Sequence, residues 1–117
     1  MKLTPSDFGG MMAVDGYGPG FFRVGGKVFQ GPVLVTASSA DAWRGLDDRA
    51  PLLALTGQID VLFIGMGADI SHAPADLIAA LRDGGVAVET MSSPTAARTY
   101  NVTLSEGRRV ACALLPL

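Results

Sequence analysis

The sequence has few of the residues that build disulfides and metal centres. It contains one cysteine and one histidine among 117 residues. An internal disulfide and a zinc ligand set of cysteine and histidine are therefore both excluded. Cys112 stands in the apolar segment VACALL, and we interpret it as a small buried side chain of a strand. These counts predict that the chain holds no metal ion.

Positive charge is also scarce. Nine Lys and Arg residues stand against eleven Asp and Glu, and only Arg108 and Arg109 are adjacent basic residues. A basic stripe that could displace counterions from a phosphate backbone is missing, so we expect no nucleic-acid partner. Long apolar runs are absent as well: none approaches the roughly 18 residues of a membrane helix, and the segment MKLTPSDFGG has no signal-peptide core. We expect a soluble, cytoplasmic chain without a transmembrane segment.

Apolar residues and glycine are abundant. Hydrophobic residues make up 49% of the sequence, charged residues only 17%, and glycine occurs 15 times. A chain of this length fits one compact domain, which buries roughly two thirds of the surface of its unfolded form. Repeats, linkers and low-complexity segments do not interrupt it. The sequence therefore predicts one α/β domain over residues 1–117.

The first half of the sequence is typical of a β-meander. Residues 18–24 and 27–30 predict two strands, and Gly25-Gly26 between them suits a type I′ turn because both central residues need positive φ. Residues 33–37 predict a third strand. Residues 38–59 have the weakest pattern, and we expect two short helical turns there: one at SSADAWRGL, one at APLLALTG.

The second half alternates strands with helices. The predicted strands cover residues 60–65, 86–90 and 108–117, and the predicted helices cover residues 73–85 and 92–107. Pro74 and Pro94 fall in the first turns of the two helices, where proline is well tolerated. The order is β-α-β-α-β, with right-handed crossovers wherever the connected strands are parallel.

The first of these strands runs into a Gly65-x-Gly67 turn, as in dinucleotide-binding folds. Glu89 stands near the place of a ribose-binding acid, but Ile70 replaces the third glycine of the fingerprint. The helix also begins too late for its N-terminus to meet a pyrophosphate, and no P-loop motif occurs. We favour a tight structural turn and expect no cofactor.

The second predicted helix carries a polar residue on its core-facing stripe. Asn101 follows the apolar spacing of that stripe, although a buried amide is costly unless it is fully hydrogen-bonded. Two interpretations stay open. Asn101 is a structural clamp on the meander or a neighbouring loop, or it belongs to a polar ligand pocket at the carboxyl ends of the strands. The residues of that predicted pocket are Gly65, Gly67, Arg98, Tyr100 and Asn101.

Three segments of the sequence resemble one known family. They are GYGPGFFRVGGKVFQGPVLV, LFIGMG and SSPTAARTYNVTLSEGRRVACALLP. The family is the Mth-type domain of unknown function, shared by mitochondrial complex I assembly factors and an adipogenesis-associated vertebrate protein. The resemblance covers the chain from about residue 6. It implies a three-layer α/β sandwich around a mixed central sheet, with an additional β-element.

The resemblance supports one of two functional hypotheses. It implies a protein-binding, assembly-factor-like module whose partners are membrane or respiratory-complex subunits, and it brings no known activity or cofactor. The alternative is a small-ligand-binding protein or enzyme in which Arg98 binds an anion and Tyr100 donates a hydrogen bond. No catalytic residue can be named, so enzymatic activity stays open. Self-association through an edge strand of the meander is compatible with either hypothesis.

Overall fold

A computed structural model describes residues 10–68 and 71–117 of the chain. Ile70, the third position of the glycine pattern, lies outside the described residues. The strands are β1 (Val14–Gly18), β2 (Phe21–Val24), β3 (Lys27–Gln30), β4 (Val33–Thr36), β5 (Ala40–Ala42), β6 (Val61–Met66), β7 (Ala87–Met91) and β8 (Val110–Leu115). The helices are α1 (Ala50–Leu53), α2 (Ala75–Asp83) and α3 (Ser93–Ser105).

A five-stranded mixed sheet forms the centre of the fold, in the order β5-β4-β8-β6-β7. β6 is parallel to both of its neighbours, and its Phe63 lies opposite Glu89 of β7 and Cys112 of β8. β4 is antiparallel to β5 and to β8. The predicted mixed central sheet is therefore confirmed.

β6 and β8 are apolar along their whole length because both faces of the sheet are covered. Val61 and Phe63 of β6 belong to the core cluster that includes α3 and the smaller sheet. Leu62 and Ile64 alternate with them and pack into the cluster that includes α1 and α2. This alternation produces three layers, as predicted.

A three-stranded antiparallel sheet, in the order β1-β2-β3, covers the α3 side of the central sheet. Phe22 and Val24 of β2 are buried against that core. Gly25 and Gly26 connect β2 to β3 with φ values of +56° and +82°, as the predicted type I′ turn requires. This three-stranded sheet corresponds to the additional β-element that the resemblance implies.

The meander differs from the prediction in which strands it contains. The predicted strand over residues 18–24 is the end of β1, a turn at Pro19-Gly20 and β2. β4 was expected in the meander, but it pairs with β8 in the central sheet. The reason is burial: Val33, Leu34 and Val35 are all buried, and only a strand covered on both faces buries consecutive side chains.

One of the two helical turns predicted within residues 38–59 is wrong. Ala40–Ala42 is strand β5, paired antiparallel with β4. Trp43 follows it, is buried, and donates a hydrogen bond from Nε1 to the carbonyl oxygen of Asp48 at 2.9 Å. Tertiary pairing with β4 therefore overrides the local helical pattern, while the second predicted turn contains α1.

Replacement of Gly26 by alanine tests the hairpin. A side chain at a left-handed φ costs about 1–2 kcal/mol, so Gly26→Ala should lower the free energy of unfolding in urea by about that amount. Gly16→Ala is the matched control, since Gly16 has no positive φ and its added Cβ meets nothing within 4 Å. Equal stability of the two variants would contradict this account of the turn.

Candidate functional site

Helix α3 and strand β1 lie side by side and form the two walls of the candidate site. α3 begins after Ser92, has Pro94 in its first turn, and is followed by Gly107 with a φ of +82°. Its buried face packs on β6 and β8. β1 is an outer strand of the small sheet.

Asn101 joins the two walls. Its Nδ2 donates to the carbonyl oxygen of Val14 at 2.8 Å, and the Val14 N–H donates to its Oδ1 at 2.9 Å. The side-chain amide thus makes the same two hydrogen bonds that a residue of a neighbouring strand would make. Of the two interpretations of Asn101, the structure shows the clamp on the meander.

Tyr100 fastens the chain just before β1. The side chain is fully buried, and its hydroxyl donates to the carbonyl oxygen of Met12 at 2.6 Å. Burial raises the pKa of the Tyr100 phenol well above its usual range, because a phenolate cannot be solvated there. The hydroxyl therefore stays protonated and serves as a hydrogen-bond donor to the backbone.

Gly65 and Gly67 hold the start of α3 against the end of β6. A Cβ on Gly65 would lie 2.7 Å from both Cα and Oγ of Ser93, so only glycine allows this approach. The buried Ser93 hydroxyl accepts from the Gly67 N–H at 2.8 Å and donates to the carbonyl oxygen of Leu115 at 2.5 Å. The Gly-x-Gly turn is a packing junction here.

The five residues of the predicted pocket lie in three different settings. Tyr100 and Asn101 bind the backbone around β1, while Gly65 and Gly67 contact the helix start at Ser93. Ser93 and Asn101 are eight residues apart, which is about 12 Å along a helix. Arg98 is exposed and lines a groove between α3 and β1. Only Arg98 and Asn101 of the five line that groove.

The groove between β1 and α3 has a volume of about 1120 Å³. Three of its apolar side chains are exposed: Met11 by 38%, Tyr17 by 45% and Val102 by 42%. The lining residues are Gly10, Met11, Met12, Ala13, Val14, Asp15, Gly16, Tyr17, Arg23, Gly25, Gly26, Pro94, Ala97, Arg98, Asn101 and Val102. The groove is thus walled by apolar side chains and carries a few charges.

Its charged groups are Asp15, Arg23 and Arg98. The Asp15 carboxylate accepts a hydrogen bond from the Gly26 N–H at 2.7 Å. Within residues 10–68 and 71–117, the ion pairs are Arg44–Asp48, Arg49–Asp76 and Arg109–Asp60. Neither arginine of the groove belongs to them, so both guanidinium groups face solvent without a carboxylate partner in the described chain.

The two shorter ion pairs lie outside the groove. The guanidinium group of Arg49 lowers the pKa of Asp76, and that of Arg109 lowers the pKa of Asp60. In the part of the chain that the structure describes, no three His, Cys, Asp or Glu side chains group to hold a metal ion. Within the same residues, no helix is long and apolar enough to cross a membrane.

Sequence reasoning did not place strand β1 beside α3, and it missed two charged residues of the groove, Asp15 on β1 and Arg23 on β2. The reason is that β1 itself was not predicted. The signal was present: Pro19-Gly20 separates VDGYG from FFRV by two residues, the spacing of a tight hairpin.

Comparisons with other proteins identify a family. The sequence matches, over residues 14–115, the family described as Protein of unknown function (DUF498/DUF598). An uncharacterized protein of Rhodobacter capsulatus is 56% identical over 110 residues, 94% of this chain and 89% of that protein. NADH dehydrogenase (ubiquinone) 1 alpha subcomplex assembly factor 3 of Danio rerio is 31% identical over 86% of this chain. The chain spans 62% of that assembly factor's length.

Solved structures show the same fold. An outer membrane protein from Bartonella henselae matches with a TM-score of 0.82 and 31% identity over 91% of this chain and 95% of its own. A Mth938-like domain from Bordetella pertussis matches with a TM-score of 0.78 and 26% identity over 99% and 92%. These findings confirm the resemblance to the Mth-type family.

Removal of the Asn101 amide should detach β1 from α3. Asn101→Ala leaves the Val14 N–H and C=O without partners, which should lower the free energy of unfolding by about 1–3 kcal/mol. Hydrogen exchange at the Val14 amide should also become faster. Val102→Ala, one residue along the same helix, should change stability by less than about 0.5 kcal/mol. Equal losses in the two variants would show that the clamp is not what stabilises β1.

The buried Tyr100 phenol predicts a loss of stability at alkaline pH. Because its pKa in the folded chain is raised, the stabilisation is complete below the unfolded value of about 10 and declines as pH rises above it. The decline can reach about 1.4 kcal/mol per pH unit. Urea unfolding between pH 9 and 11 should show a shallower decline for Tyr100→Phe than for the unmodified chain. The buried Cys112 thiol, whose pKa is also raised, adds the same pH dependence to Tyr100→Phe and to the unmodified chain. Identical slopes for the two proteins would therefore contradict the prediction.

Proposed function

Because the chain belongs to the DUF498/DUF598 family and is homologous to complex I assembly factors, we propose that it is a protein-binding module. Its proposed role is to bind subunits of a respiratory NADH dehydrogenase while that complex is assembled. The assembly factors are longer proteins, and this chain spans 62% of the one from Danio rerio. That this chain binds NADH dehydrogenase subunits is therefore part of the proposal. We also propose that residues 1–117 form one domain.

The observation that carries the proposal is the exposed apolar surface of the groove. Six large apolar side chains of the described residues are exposed, and Met11, Tyr17 and Val102 among them line the groove. Apolar side chains that gather at one concave surface are typical of binding sites, whereas scattered ones are ordinary. Burial of this surface against another protein would release its bound water and stabilise the complex.

Arg98 is the residue that we propose to contact the partner. It is exposed on the α3 wall and has no carboxylate partner among the described residues. Tyr100 and Asn101 position the opposite wall through their bonds to Met12 and Val14. Gly65 and Gly67 act further away, since they hold the start of α3. Four of the five predicted site residues thus shape the groove, and one is available to bind.

The small-ligand alternative is not favoured, because its polar groups are already used. Tyr100, the proposed donor, gives its hydroxyl hydrogen to Met12, and both ends of the Asn101 amide bond Val14. A ligand would have to break these bonds before it could use either side chain.

The cytoplasmic location stays a prediction, and fractionation of cells followed by immunodetection of the chain checks it.

The proposal can be tested in the organism that carries the gene. Deletion of the gene should lower the amount of assembled NADH dehydrogenase on native gels. Expression of the unmodified chain or of Arg108→Glu should restore it, while Arg98→Glu should leave it at least about fivefold lower, as expected for a loss of about 1 kcal/mol in binding. Arg108 is the matched control because it is exposed and lies outside the groove.

Two results would contradict the proposal. Normal assembly in the deletion strain would exclude the assembly role. Full restoration by Arg98→Glu would remove Arg98 from the contact surface. The thermal midpoints of both purified variants should match that of the unmodified chain, which ensures that a failure to restore assembly reflects binding and not unfolding.

A further inference from the structure

Strand β1 has one hydrogen-bonding edge that its own sheet leaves open. Among residues 10–68 and 71–117, β1 pairs only with β2. Val24 of β2 lies opposite Lys27 across the two-residue turn. The backbone N–H and C=O of Val24 therefore point to β3. Because successive residues of a strand direct these groups to opposite edges, the N–H and C=O of Arg23 point to β1. Gly16 lies opposite Arg23, so the next residue, Tyr17, directs its N–H and C=O outward to the groove.

At its other end, the same edge of β1 is already hydrogen-bonded by the side-chain amide of Asn101. The outward N–H and C=O of Val14 are both bonded by the Asn101 amide, at 2.9 and 2.8 Å. Within the described residues, the backbone N–H and C=O of Tyr17 make no such bonds outside the small sheet. The register of β1 against β2 shifts between Val14 and Gly16, so the next outward-directed pair of groups lies three residues further on. Asn101 thus occupies the first position of the edge, and Tyr17 offers the position beyond this irregularity.

We propose that an extended segment of the partner protein adds to β1 as a further strand, pairing with Tyr17 between β1 and α3. Strand addition of this kind obtains affinity from backbone hydrogen bonds and specificity from side-chain contacts. The β1 wall suits a backbone that approaches closely, because Gly16 precedes Tyr17 and has no atom within 4 Å of an added Cβ. This inference rests on the proposed protein-binding function.

The charges of the groove determine the chemistry of that segment. Its one carboxylate, Asp15, accepts the Gly26 N–H, and Arg23 and Arg98 have no carboxylate partner among the described residues. The groove is therefore positive, although the chain as a whole has a formal net charge of −2. Charge complementarity predicts a segment with Asp or Glu side chains, and the exposed Met11 and Val102 predict apolar side chains beside them.

Selection from a library of random peptides tests both parts. The immobilised full chain should enrich peptides in which Asp or Glu alternates with apolar residues. Selection on Arg98→Glu should lose that acidic preference, whereas selection on Arg108→Glu should keep it. Enrichment without regard to charge, or of basic peptides on the unmodified chain, would overturn the acidic assignment.

Methylation of single backbone amides in an enriched peptide then tests strand addition without altering the protein. Methylation of the peptide amide that pairs with the Tyr17 carbonyl should weaken binding about fivefold to tenfold, the effect of one lost hydrogen bond. Methylation of either neighbouring amide should leave the affinity unchanged. Uniform tolerance along the peptide would overturn the strand arrangement, and so would a library that yields no binder. Acidic peptides that bind when gene deletion leaves assembly intact would instead refute only the assembly role.

Discussion

The need to cover both faces of β6 and β8 is the constraint on which the rest of the structure depends. Their side chains are apolar on both sides of the sheet, so each face requires a layer of its own. Helices α1 and α2 supply one layer. On the other face α3 is too narrow to cover five strands, and the hairpin sheet that carries Phe22 completes the cover. The additional β-element is therefore part of the core.

That second layer is made of two pieces, and their junction creates the site. Tyr100 and Asn101 bind α3 to Met12 and Val14 through the backbone, at one end of β1. Beyond this junction the helix and the strand are walls of an open groove. Two of the polar residues that sequence reasoning assigned to a ligand thus position the groove, and its proposed contact groups are Arg98 and exposed apolar side chains. A surface of this composition suits another polypeptide better than a small metabolite.

Membership of a family that includes complex I assembly factors agrees with such a surface. A protein that holds a subunit during assembly must later release it, which favours a short contact of moderate affinity. The proposed contact is of that kind, since it consists of one position on the β1 edge, two arginines and a few apolar side chains. The buried layers stabilise the fold, so the groove can remain exposed to solvent when no partner is bound.

The sequence by itself determined the α/β architecture, the hairpin at Gly25-Gly26 and both long helices, because local spacing and turn chemistry carry those signals. It also determined that Asn101 is unusual. Only the tertiary structure decided what Asn101 binds, that β4 joins β8, and that residues 40–42 form a strand. The first two outcomes depend on pairing between segments far apart in the chain, such as Val14 with Asn101. The third depends on β4, which lies nearby in sequence and pairs with residues 40–42 in place of a helical turn. Local pattern identifies a residue that needs a partner, and packing selects the partner.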